Sequence, residues 1–130
     1  MPASFKKLDN EPIVILTYYD PISPADLASV FAQTAKVADM IEPLYVINDL
    51  SAMRLTFGGV VMGTSEAARG GPGSAGDTRT RHVLVGGHEL VKFSGEAMKQ
   101  EQYGALNIPV FATIEEALAE IHADIRADIG

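Results

Sequence analysis

The most continuous apolar stretch of the chain is IVILTYY at positions 13–19, free of charge and rich in β-branched and aromatic side chains. A run this short and unbroken reads as a strand buried on both faces. Ahead of it, residues 4–8 are expected as a polar edge strand, with Asp9, Asn10 and Pro12 supplying the turn. Ser23, Pro24 and Asp26 then mark a helix start: a capping side chain, a proline suited to the first helical position, and an acid near the positive helix end. Leu27, Val30, Phe31, Thr34, Val37, Ala38 and Ile41 follow at helical spacing, and Pro43 stops the run. Residues 44–48 (LYVIN) are the next buried strand, and a strand-helix-strand unit of this length demands a parallel, right-handed crossover.

The alternation continues to the end of the chain. Residues 58–69 predict a helix carrying Val60, Val61, Ala67 and Ala68, and residues 82–85 predict a third parallel strand. Residues 89–103 predict a helix with Leu90, Val91, Ala97 and Met98 near one face, ended by Gly104. The last strand, 108–111, belongs at an edge because Pro109 cannot donate to a ladder. Thr113 and Glu116 make a capping box for a final helix with Ile114, Ala117, Leu118, Ile121 and Ile125 on one stripe. Two strands followed by helix and strand in turn define an α/β architecture, with a mainly parallel sheet of about five strands and four helices. At 130 residues the chain fits one domain, 1–130, within which residues 70–80 (GGPGSAGDTRT) are expected as a flexible glycine-rich loop.

Composition narrows the function more than the fold. Hydrophobic residues make up 47% and charged residues 21%, a globular balance. The absence of cysteine excludes disulfides, cysteine-ligated metal and a thiol nucleophile. A formal charge of -7 argues against nucleic acid and anionic lipid as partners. No apolar run approaches the roughly 20 residues that cross a bilayer. The opening MPASFKKLDN lacks a signal-peptide core, so a cytoplasmic protein without membrane insertion is expected.

Most candidate motifs have an ordinary explanation. Residues 71–76 spell G-x-G-x-x-G, but they follow a helix and precede a strand, the reverse of a dinucleotide fingerprint. Gly86, Gly87 and His88 lie between a strand and a helix, where free amides can hold an anion or simply make a tight turn. His82, His88 and His122 sit on different elements without metal-ligand spacing, and exposed or half-buried imidazoles are expected. Met40, Met53, Met62 and Met98 suit core filling. No G-x-S-x-G elbow is present. The richest stretch is 48–59, which joins a central strand to the next helix at the sheet edge where ligands and partners gather. Asp20 and residues 86–88 end other strands at that same edge.

Val46, Ile47, Asp49, Leu50 and Ser51 form a hydrophobic-Asp-Leu-Ser signature. The chain closes on Ile108, Pro109, Val110 and Phe111, then Thr113, Glu115, Glu116, Ala117 and Leu118. With the strand pair and alternating elements before them, these residues make the chain resemble, over nearly its whole length, the STAS or SpoIIAA-like (anti-sigma-factor-antagonist-like) superfamily. The resemblance implies a βα superhelix, no catalysis by the domain, and regulation through a protein kinase or other protein partner. Antagonists of that family carry Asp-Ser-Ser-Gly or a close variant soon after this strand end, with a serine phosphorylated as a switch. Here Phe57, Gly58 and Gly59 fall near that position and Thr56 is the nearest hydroxyl, so binding without the phosphoserine switch is implied. A related branch with lipid-exchange domains encloses apolar ligands, which makes Phe57, Val60, Val61 and Met62 candidates for lining such a space.

The expected function is a non-enzymatic regulatory module, without cofactor, metal or catalytic residue. It binds a protein partner through Asp20, Asp49, Ser51, Arg54, Thr56, Phe57, Gly58 and His88, and a homodimer is the expected assembly. The alternative is a carrier or sensor of a small apolar, lipid-like ligand between residues 58–69 and the sheet. Against that alternative stands the expectation that Val60 or Val61 fills the space under this helix at normal interior density.

Overall fold

The computed structural model describes residues 3–69, 71–87, 89–100 and 106–129. Its first two strands, β1 (Ala3–Lys7) and β2 (Ile13–Tyr18), pair antiparallel as a hairpin. Asn10 takes the left-handed conformation in its turn, with φ of 59°. β3 (Leu44–Asp49), β4 (Thr80–Val85) and β5 (Val110–Phe111) then join in parallel, each beside its predecessor, giving the order β1-β2-β3-β4-β5. Because every crossover steps one strand in the same direction, right-handedness sends each crossover helix to the same side of the sheet. α1 (Pro24–Ala38), α2 (Phe57–Ala68) and α3 (Glu89–Met98) accordingly cover one face. α4 (Ile114–Ile129) follows the last strand and packs on the other.

Strand alternation divides the core between the two faces. Val14, Leu16 and Val46 meet Leu27 and Val30 of α1, while Ile13, Ile47, Val83 and Val85 meet Ala117 and Ile121 of α4. The helix starts follow their capping residues. Ser23 Oγ accepts the Asp26 amide and the Asp26 carboxylate accepts the Ser23 amide, a complete capping box with Pro24 in the first turn. At α4, Thr113 accepts the Glu116 amide, but the Glu116 carboxylate reaches back one residue further, to the Ala112 amide.

The expected strands and helices are all present with shifted ends, β4 starting two residues earlier than expected, at Thr80. β5 pairs over two residues, and α3 stops at Met98. The expected helix stop at Gly104 lies outside the described residues. Among the described residues no helix is long and apolar enough to cross a membrane.

Candidate functional site

Among the described residues, buried polar side chains interrupt the apolar face that the sheet turns toward α1, α2 and α3: Tyr18 in β2, Asn48 in β3 and His82 in β4, with Thr80 at the start of β4. The first three are joined end to end. Tyr18 Oη donates to Asn48 Oδ1 at 2.7 Å, and Asn48 Nδ2 lies 3.0 Å from both the Val83 carbonyl oxygen and His82 Nδ1. His82 Nε2 in turn lies 3.1 Å from the Gly73 carbonyl oxygen. Carbonyls only accept, so these two fix every proton of the chain: the Asn48 nitrogen faces Val83, and the imidazole carries its proton on Nε2 and accepts at Nδ1. A second proton on His82 would set an N–H against the Asn48 amino group. Burial pushes the imidazole down to about 4 from its ordinary 6.5, the Gly73 carbonyl opposing only in part, and burial raises the Tyr18 phenol. The network is neutral at pH 7.

Its far end is anchored by the glycine-rich connection. Gly73 has φ of 79°, and a Cβ there would come within 2.0 Å of the Phe31 carbonyl oxygen, so only glycine lets this turn lie against α1. Asp77 accepts the Gly73 and Arg79 amides at 2.8 and 2.9 Å. The Arg79 guanidinium, which also reaches Asp39, holds the Asp77 carboxyl well below the usual carboxylate range. Ser74 is fully buried, and Thr80 Oγ1 donates to its carbonyl. The G-x-G-x-x-G spelling of 71–76 thus serves to seat a histidine.

Over the Tyr18–Asn48–His82 floor lies a cavity of about 320 Å³. Leu27 and Phe31 of α1, Val60 and Ala67 of α2, and Met98 of α3 give it apolar walls. Phe31 meets the His82 ring edge to face, with centroids 6.4 Å apart. Thr64 of α2 and Ser94 of α3, both buried, share a hydrogen bond of 3.0 Å across the wall. The expectation that Val60 or Val61 fills this space is overturned. Val60 stands in the wall, but Val61 is 37% exposed and not part of the lining. The residue that faces the void is Gly63, where a Cβ would meet nothing within 4 Å. The space stays open beside position 63, where α2 brings no side chain to it. Met53, Met62 and Met98 line the cavity, while Met40, expected in the core, is 78% exposed.

The cavity reaches solvent at the strand-end edge, where its lining residues Asp20, Pro21, Arg54 and Thr56 are exposed. Asp20 and Arg54 meet directly, the Asp20 carboxylate accepting the Arg54 amide. Thr56 caps α2, accepting the Gly59 amide at 3.0 Å. Gly58 is exposed in the first turn of α2 with open space about it. Asp49 is buried, and its Oδ1 takes both the amide and the hydroxyl of Ser51. That pair closes an Asx turn at the end of β3 and does not face the cavity. Phe57 opens α2, and its side chain, like all of His88, lies outside the described residues.

Of the residues expected to bind at the strand-end edge, Asp20, Arg54 and Thr56 line the mouth, whereas none of the floor residues was among those expected. His82, expected exposed or half-buried, is 7% exposed. The available signal was alternation: Tyr18, Asn48 and His82 each fall on the same parity as their strand's core-facing Leu16, Val46 and Leu84. Among the described residues, no group of three or more His, Asp or Glu side chains is placed to hold a metal ion. No protein-family model matches this chain, and no curated protein matches it.

Proposed function

We propose that this protein is a binding module, a carrier or sensor, for a small and largely apolar molecule held between α2 and the sheet. The observation that carries the reading is the cavity of about 320 Å³, with its apolar walls and few convergent polar groups. That size and make-up match the lower end of small-molecule sites. Ordinary interiors hold few spaces larger than a water molecule, and a pocket of this volume supports a binding role over ordinary packing. Glycine at 63 strengthens the point, since leucine would favour the helix more and extend into the space. His82 supports binding over catalysis: both of its ring nitrogens are already engaged, leaving no lone pair to take a substrate proton.

Native mass spectrometry of protein purified from its own host tests the reading. Wild type is expected to retain a small-molecule mass that a Gly63→Leu variant of unchanged circular dichroism loses. An empty wild type that also shows no thermal shift with any apolar compound of a fragment library would remove the proposal.

The exposure of the mouth favours a second reading, in which a protein partner docks on the same edge. Ser51, Arg54, Thr56 and Gly58 are all exposed there, beside or on the cavity rim. Equal recovery of partners by wild type and Arg54→Glu baits would leave that reading without support.

A further inference from the structure

We propose that the molecule this cavity takes carries a neutral hydrogen-bond donor, an alcohol or phenol hydroxyl, at its buried end. The inference rests on the binding-module reading above and deepens it, because it follows from which hydrogen-bonding positions the floor has left. Each proton of the floor is already spent. Tyr18 gives its one hydroxyl proton to Asn48 Oδ1 at 2.7 Å. Asn48 gives its two amide protons to His82 Nδ1 and the Val83 carbonyl, both at 3.0 Å. His82 gives its single proton to the Gly73 carbonyl at 3.1 Å. What remains is a lone pair on Tyr18 Oη and one on Asn48 Oδ1, both acceptors. At the wall, Thr64 and Ser94 spend one hydroxyl proton between themselves, so that pair adds one donor at most.

A floor of this kind discriminates among ligand heads. A hydroxyl satisfies it by donating to Tyr18 Oη or Asn48 Oδ1. An ether oxygen brings only lone pairs and meets lone pairs on the floor, the Thr64–Ser94 wall offering one donor at most. A carboxylate brings negative charge into a buried, neutral site that cannot supply the several donors such a group needs. The walls call for an apolar body, and a volume of about 320 Å³ suits a small one. At the rim, Asp20 and Arg54 contribute one charge of each sign, so the mouth does not compensate for an anionic head.

Isothermal titration calorimetry at pH 7.5 with three probes of matched length tests this on the wild-type protein: octanol, its isomer heptyl methyl ether, and octanoate. Octanol is expected to bind at least about tenfold more tightly than either of the others, the ratio produced by leaving one buried hydrogen bond unmade. Ether or octanoate binding as tightly as octanol overturns the donor inference and leaves the cavity reading intact. Binding by none of the three removes the cavity reading itself. Gly63→Leu locates the event, since it must abolish octanol binding. Octanol still bound by a folded Gly63→Leu protein would place the alcohol elsewhere and end the proposal. If that variant does not fold, the wild-type series decides alone.

Discussion

His82 ties the chemistry of the site to the stability of the fold. Its imidazole titrates near 4 when folded and near 6.5 when unfolded, so between these values the unfolded chain binds more protons. The stabilisation is therefore full above about pH 6.5 and is lost as pH falls toward 4, by on the order of 3 kcal/mol over that window. Asp77, whose carboxyl is depressed by Arg79, loses its contribution only at lower pH, below the ordinary carboxylate value. Urea midpoints measured between pH 7 and 4.5 should drop accordingly, and His82→Gln, which stays neutral, should flatten the slope. Gly73 gives a second prediction. Alanine there places a methyl group 2.0 Å from the Phe31 carbonyl oxygen at a φ that side chains resist, and about 3 kcal/mol or more of stability should go. Equilibrium unfolding of Gly73→Ala checks this, and a change within about 0.5 kcal/mol, the usual range for an ordinary surface substitution, would show that α1 yields to the methyl group.

α2 is a helix weakened in its own sequence, with Gly58, Gly59 and Gly63 among its 12 residues. The glycine at 63 leaves the space beside it open, so stability and binding pull in opposite directions there. Gly63→Ala should stabilise the fold by about 0.5–1 kcal/mol and weaken octanol binding, whereas Gly59→Ala should gain less because its Cβ crowds Thr56 Oγ1 at 3.1 Å. Thermal melts paired with calorimetry on both variants separate the two effects. At this scale the sequence is most legible. The run at 13–19, the Ser23 cap and the α4 stripe each carry a local signal of length, capping or period that points to one element, and the fold followed from their order. The site did not follow, for a physical reason. Tyr18, Asn48 and His82 sit 30 and 34 positions apart, one to a strand, and each reads alone as a polar blemish in an apolar run. Only lateral pairing makes them one network. The void above them is a matter of what several helices fail to fill, which no local pattern encodes.

Winding the chain in one sense across the sheet has sorted its duties between two faces. Three crossover helices enclose the cavity on one side, and α4 alone covers Ile13, Tyr45, Ile47, Val83 and Val85 on the other. Ile121, 2% exposed, is a central contact of that second layer. Ile121→Ala should cost about 3 kcal/mol in chemical denaturation, and because the sheet stands between it and the cavity, octanol affinity should stay within about twofold. A large affinity loss in a folded Ile121→Ala protein would mean that the two layers communicate. The last strand closes the molecule in another sense. Leu84 donates to the Pro109 carbonyl and Gly86 to that of Phe111, both at 2.9 Å, so residues 109 and 111 are turned inward and Val110 alone presents an amide and a carbonyl to the outside. A stray β-segment arriving at this margin finds one strand residue to dock on. The opposite margin carries the exposed charge of Lys6. A chain that keeps a hollow in its interior is thereby guarded at both borders against the edge-to-edge stacking that seeds fibrils.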